Sequence, residues 1–150
     1  KKPVTNKKTY FKKGNFISRL SKEWLVTKNE VLESINRKNL LTLDARHRDR
    51  FNGKVKETRK GLRSGHIPGS KNIFWGNLIN LKGTLVSKKK INNLFNKSHI
   101  KDKKIITTCG SGITACILSL SLLHGLKIQT SVYDGSWTEW GQNKKLPISK

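Results

Sequence analysis

Lys104-Ile105-Ile106-Thr107-Thr108-Cys109-Gly110-Ser111-Gly112-Ile113-Thr114-Ala115 decides the fold. A short β-branched run is followed by a loop with two glycines, then by an apolar stretch reaching His124. That order predicts a buried strand, a tight loop and a central helix. Working outward, Leu40-Leu41-Thr42-Leu43 reads as a strand buried on both faces and ends at Asp44. Ser131-Val132-Tyr133 reads as a further strand, closed by an Asp134-Gly135 turn and a short helix from Trp137 to Gln142. Phe16 to Leu20 is expected as a short strand near the start. Thr27-x-x-Glu30 is a capping box, and Val31, Leu32 and Ile35 then recur at helical spacing to about Arg37. Ser87 is expected to cap a helix whose apolar face is Ile91, Leu94 and Phe95. Its first-turn lysines oppose the helix dipole, so fraying is expected there. Gly125 is expected to supply the left-handed residue that ends the central helix. Strands alternating with helices predict an α/β fold, an open parallel sheet with helices on both faces. Ligands of such sheets sit beyond the carboxyl ends of the strands, where Asp44 and Cys109 both fall. Residues 45–72, rich in Arg and Gly, form a long irregular segment of the kind that carries function.

The chemistry of the central loop follows from its backbone. Gly110 and Gly112 let the chain curl, and a curled loop turns successive N–H groups inward as an anion nest. The departing helix adds its own unpaired N–H groups and its positive end. Cys109 sits in that field, which favours a thiolate, a nucleophile. Cys116 lies inside the apolar helix and is expected to be core. The two cysteines are seven apart, which matches neither a CxxC pair nor a zinc knuckle. A cysteine phosphatase would need Arg where Ala115 stands, to clamp phosphate. His66 and His124 are conceivable bases for a Cys-His hydrolase, but no pattern links either to Cys109.

Composition narrows the classes further. A chain of 150 residues is long enough for a full core. Two cysteines exclude a disulfide scaffold. Ala115–Leu126, the most apolar stretch, is short of the ~20 residues a spanning helix needs. The first residues are Lys1-Lys2-Pro3 with no apolar stretch behind them, so no signal peptide is read there. The 32 Lys and Arg against 9 Asp and Glu give +23. They are spread along the whole chain, so they read as a solvated surface, and nucleic acid is not the expected partner. Weak retention on RNA, lost as salt rises, would be the charge alone.

Four further motifs carry a resemblance. They are Asp44-Ala45-Arg46, Arg50-Phe51-x-Gly53 with Arg59, Gly65-His66-Ile67-Pro68-Gly69, and Tyr133-Asp134-Gly135-Ser136-Trp137-x-Glu139-Trp140. With the Cys109 loop, they resemble the rhodanese superfamily, from about Phe16 to Gly141. Cys109-Gly110-Ser111-Gly112-Ile113-Thr114-Ala115 is similar to the loop of the 3-mercaptopyruvate sulfurtransferases. Thiosulfate-preferring relatives usually carry basic residues after the Cys, so thiosulfate is the alternative donor. The resemblance implies a rhodanese-like sheet and a second, catalytic domain of two. Residues 1–15 would then be a linker from an N-terminal rhodanese domain missing from this chain, and 16–150 the catalytic domain. It implies sulfur transfer through a Cys109 persulfide, with pyruvate released and a thiol such as thioredoxin, or cyanide, as acceptor. Arg50 and Arg59 match the family's substrate arginines, with Arg63 a weaker candidate. Gly110, Ser111, Gly112, Ile113 and Thr114 would line the anion nest, with Ser111 near the sulfur's proton. No cofactor, metal or membrane is implied. Asp44 and Arg46 read as structural, and His66 as a brace of its turn. The expected compartment is the cytoplasm, with the mitochondrial matrix as the alternative. A non-catalytic rhodanese-like module binding RNA or an acidic protein is the competing class.

Overall fold

The β-branched runs assemble as a single sheet. In the computed structural model, which describes residues 3–95, 100 and 102–150, the strands are β1 (Leu25–Val26), β2 (Leu40–Asp44), β3 (Lys71–Asn72), β4 (Lys104–Thr108) and β5 (Thr130–Tyr133). Their order is β1-β5-β4-β2-β3, and every pairing is parallel. The helices are α1 (Lys28–Ser34), α2 (Arg48–Phe51), α3 (Lys88–Leu94), α4 (Ile113–Leu126) and α5 (Ser136–Gln142). The expected α/β architecture is present.

Successive strand side chains point to opposite faces, and the core divides accordingly. Leu41, Leu43 and Ile105 join Ile91 and Phe95, together with Leu118 and Leu122 of α4, on one face. Ile106 and Tyr133 join Val31 of α1 and Trp137 and Trp140 of α5 on the other. β4 is central and β2 lies beside it, with Asp44 level with Thr108. The carboxyl ends of two neighbouring inner strands therefore open side by side, which sets Asp44 and Cys109 on the same edge.

Several local expectations change. Phe16–Leu20 forms no strand; Phe16 is 90% exposed, and the first edge strand is Leu25–Val26, paired with β5. Hydrophobicity alone did not supply a partner for the earlier run. The segment 45–72 is not wholly irregular, since it holds α2 and β3. The Thr27 capping box is formed, but α1 stops at Ser34. Ser87 caps α3, its hydroxyl accepting from the Lys90 N–H at 3.3 Å. Gly125 is inside α4, and Lys127 takes the left-handed conformation that ends it (φ 60°). What demands glycine at 125 is packing: a Cβ there would stand 2.5 Å from Ile91 Cγ2. Cys116 is exposed rather than core. α4 is apolar all round but only half covered, with Ile113, Leu120 and Leu123 also exposed. Among the described residues no helix is long and apolar enough to cross a membrane.

Leu118 is fully buried in the α4 face of the core. Leu118→Ala is expected to cost about 2–5 kcal/mol, read as a lower urea midpoint at unchanged slope.

Candidate active site

Cys109 is the first residue beyond β4, and it is 1% exposed. Its backbone is held from the β5–α5 junction. The Cys109 N–H donates to Ser136 Oγ at 3.1 Å, and Ser136 Oγ in turn donates to the Tyr133 carbonyl at 2.7 Å. The Cys109 carbonyl accepts from the Trp137 N–H, and the Gly110 carbonyl from the Thr138 N–H, both at 2.9 Å. Thr138 Oγ1 adds a third bond, to Gly110 O at 2.6 Å. A helix leaves its first N–H groups without partners; in α5 those of Trp137 and Thr138 are satisfied by the cysteine loop. With its carbonyls drawn toward α5, the loop keeps its amides free. The N–H groups of Gly110, Ser111 and Gly112 meet no acceptor among the described residues.

Gly112 makes the curl possible. Its φ is +84°, and a Cβ there would lie 2.7 Å from Asp134 Oδ1 and 2.9 Å from Asp134 O. Asp134 thus packs directly on the loop, beyond its turn-forming role. α4 begins at Ile113, so the amides of Ile113 and Thr114 belong to its open first turn. The Ile113 side chain is 74% exposed, so Ile113 offers the site its backbone alone. Thr114 and Ser111 are half-buried.

Arg50, on α2, approaches from the other side. Its terminal nitrogens lie 3.6 and 3.9 Å from the Cβ position of Gly110, and Nη2 pairs with Glu57. Arg59 reaches the same loop through Thr138, Nη1 donating to Oγ1 at 2.6 Å. The tertiary structure therefore brings Cys109, Gly110, Arg50 and Arg59 together. Arg63 does not join them. Its guanidinium donates to the carbonyls of Trp140, Gly141, Asn143 and Leu146, at and just beyond the end of α5 where a helix runs out of N–H donors, so its role is structural. Arg46 is buried, paired with Asp44 at 2.7 Å and Glu57 at 2.9 Å. His66 stacks on Phe51 with ring centroids 3.9 Å apart, and its Nδ1 lies 2.9 Å from Phe51 O. It braces the turn. His124 is on the last turn of α4, roughly 16 Å along the helix from its start. Burial, then the hydrogen bond to Glu139, hold the Tyr133 phenol well above its ordinary range, so it stays protonated.

No sequence pattern singles out Ser136, Thr138 or Glu57. Ser136 and Thr138 stand within a motif already quoted, and Glu57 within a run of lysines and arginines that masks it. The exposed Cys116 thiol donates to Gly112 O at 3.5 Å. Partial desolvation, then the Coulombic influence of Cys109 and of Asp134, push it upward. No group of three His, Cys, Asp or Glu able to hold a metal occurs among the described residues.

The rhodanese-like domain model matches residues 27–143. A thiosulfate/3-mercaptopyruvate sulfurtransferase of Arabidopsis thaliana, named as mitochondrial, is 45% identical over 107 residues, 71% of this chain and 28% of its own length. The 3-mercaptopyruvate sulfurtransferase of Mus musculus is 34% identical over 139 residues, 92% of this chain and 47% of its own length. A solved structure, the Tum1 protein of Saccharomyces cerevisiae, superposes with a TM-score of 0.74 at 27% identity, covering 85% of this chain and 47% of that one. The chain spans less than half the length of these relatives.

Gly112→Ala places a methyl against a backbone carbonyl at a left-handed φ. It is expected to cost at least about 2 kcal/mol in urea unfolding. Cys116, being raised, is expected to stay a thiol at neutral pH. With Cys109 replaced by Ser, its alkylation should be slow at pH 7 for an exposed thiol and climb as pH rises past the ordinary thiol range, followed by intact mass.

Proposed function

The chain belongs to the rhodanese-like domain family, and on that premise we propose that it is a sulfurtransferase acting through Cys109. One observation carries the reading. A buried cysteine at the end of the central strand sits on a loop whose first two carbonyls, of Cys109 and Gly110, are tied to α5, while the amides of Gly110, Ser111 and Gly112 are left for an anion. Preorganised N–H donors of this kind stabilise charge without reorganising when it forms. The name of the mouse relative favours 3-mercaptopyruvate as donor, as does the neutral Gly110-Ser111 pair after the cysteine, while the plant relative's name carries both donors.

The reaction then runs in two displacements. The Cys109 thiolate attacks the sulfur of 3-mercaptopyruvate. An S–S bond forms, the C–S bond breaks, and its electron pair leaves on the pyruvate enolate, which takes up a proton. Ser111, at the mouth of the loop, is suited to pass that proton. The Cys109 persulfide is anionic and lies within the amides of Gly110, Ser111, Gly112, Ile113 and Thr114. An acceptor thiolate attacks the outer sulfur, a new S–S bond forms, and the Cys109 thiolate returns. The persulfide carries the reactive atom about 2 Å outward, so a sulfur buried in the resting protein is presented to a larger acceptor only after loading. A thiol protein such as thioredoxin, or cyanide, fits that second step. Arg50, on α2 and beside Gly110, and Arg59, in the segment after α2 and bonded to Thr138, receive the donor's carboxylate by their forked donors. The leading residues 1–15 we assign as the connector to a further rhodanese domain, and the cytoplasm or the mitochondrial matrix as the compartment.

Incubation with 3-mercaptopyruvate is expected to add one sulfur, ~32 Da by intact mass, to the chain and none to Cys109→Ser. The same gain in both variants, or none in a folded wild-type chain, contradicts the reading. Saturable RNA binding indifferent to Cys109→Ser would favour a binding module in its place.

A further inference from the structure

Glu57 has no part in the steps above, yet it holds the most enclosed charge beside the loop. Its side chain is fully buried. One carboxylate oxygen accepts from Arg46 Nη1 at 2.9 Å; the other pairs with Arg50 Nη2. Its two partners differ in freedom. Arg46 is immobile. It is 2% exposed, forked onto Asp44, bonded to Gly65 O at 2.7 Å, and stacked 4.3 Å over the Trp137 ring. Arg50 has a side chain 32% exposed, and its only bond to another side chain among the described residues is to Glu57. Its Nε is buried and has no acceptor there.

Asp44, Arg46, Glu57 and Arg50 thus form a chain of alternating charge, fixed at the Asp44 end and open at the Arg50 end. Glu57 is the one side chain among the described residues that hydrogen-bonds the Arg50 guanidinium, so without its carboxylate no hydrogen bond from another side chain there fixes where the guanidinium sits. With it, the guanidinium stays beside Gly110 and still has a donor to give. A donor already fixed in place loses less freedom when its ligand binds.

We propose that Glu57 is a positioning residue that holds Arg50 beside the Cys109 loop, so that the site prefers a reagent bearing a carboxylate. This rests on the reading of Cys109 as the nucleophile, but not on the identity of the sulfur donor. The test compares two small alkylating agents of similar size: iodoacetate, which carries a carboxylate, and the neutral iodoacetamide. The whole chain is used in a Cys116→Ser background, so that intact mass scores Cys109 alone. In Glu57→Gln the iodoacetate-to-iodoacetamide rate ratio is expected to fall about ten-fold or more, with the iodoacetamide rate unchanged. Glu57→Asp keeps the charge and is expected to recover part of the ratio. Glu57→Gln leaves Arg46 beside a neutral amide. If that variant fails to fold, Glu57→Asp is read against the parent alone, where a lowered ratio at an unchanged iodoacetamide rate supports the assignment. An unchanged ratio overturns it. So does an equal fall in both rates, since a merely structural carboxylate would move them together. A carboxylate preference that depends on Glu57, in a chain that gains no sulfur from mercaptopyruvate, keeps the assignment and discards that donor. No reaction at Cys109 with either agent overturns both.

Discussion

A guanidinium buried at 2% exposure is the constraint around which this molecule is arranged. An unpaired charge there would cost several kcal/mol, and an interior tolerates it only when it is paired and hydrogen-bonded. Arg46 meets that demand by recruiting from distant parts of the chain. Asp44 comes from the end of β2, Glu57 and the Gly65 carbonyl from the segment that follows, and the Trp137 ring from α5. A segment that would otherwise wander over the surface is thereby fastened to the carboxyl edge of the sheet. Arg50 is fixed beside the cysteine loop as a consequence, through Glu57.

A second tie acts on the same edge. The carbonyls of Cys109 and Gly110 occupy the open first turn of α5, and Ser136 receives the Cys109 N–H. Ser136 holds a φ of +48° while fully buried. Strain of that kind persists where the surroundings over-determine it, and here the hydroxyl bonds to both β4 and β5. The loop that departs from one strand is shaped by the turn that follows its neighbour. An anion nest at Cys109 is accordingly a property of two loops together.

Much of this was legible in the residues. β4 and β2 are marked by short runs rich in leucine, isoleucine and threonine with no alternation of exposed polar residues, as a strand covered on both faces requires. The Thr27 box marked the start of α1, since a side chain three residues away closes it. Cys109, Gly110 and Gly112 were identifiable because a loop between strand and helix is a local construction, and its residues are contiguous. Other features were not legible. Cys116 looked like core because α4 is apolar all round, and composition does not say which side of such a helix finds a partner. Gly125 looked like a terminator, whereas its reason is contact with Ile91 across to α3. Phe16–Leu20 looked like a strand, but a strand exists only where a neighbour accepts its hydrogen bonds.

The sequence by itself determined the alternation of strands and helices, the parallel sheet that follows from it, and the cysteine loop at a strand end. These depend on short-range patterning, which the chain carries wherever it folds. Only the tertiary structure decided which of the arginines lie beside the loop. Arg50 and Arg59 lie far from Cys109 along the chain and beside its loop in space, while Arg63 is spent on the carbonyls at the end of α5. A guanidinium looks the same in any basic sequence. What it does is set by the acceptors that folding brings within reach, and here those come from residues as far apart as Glu57, Thr138 and Leu146.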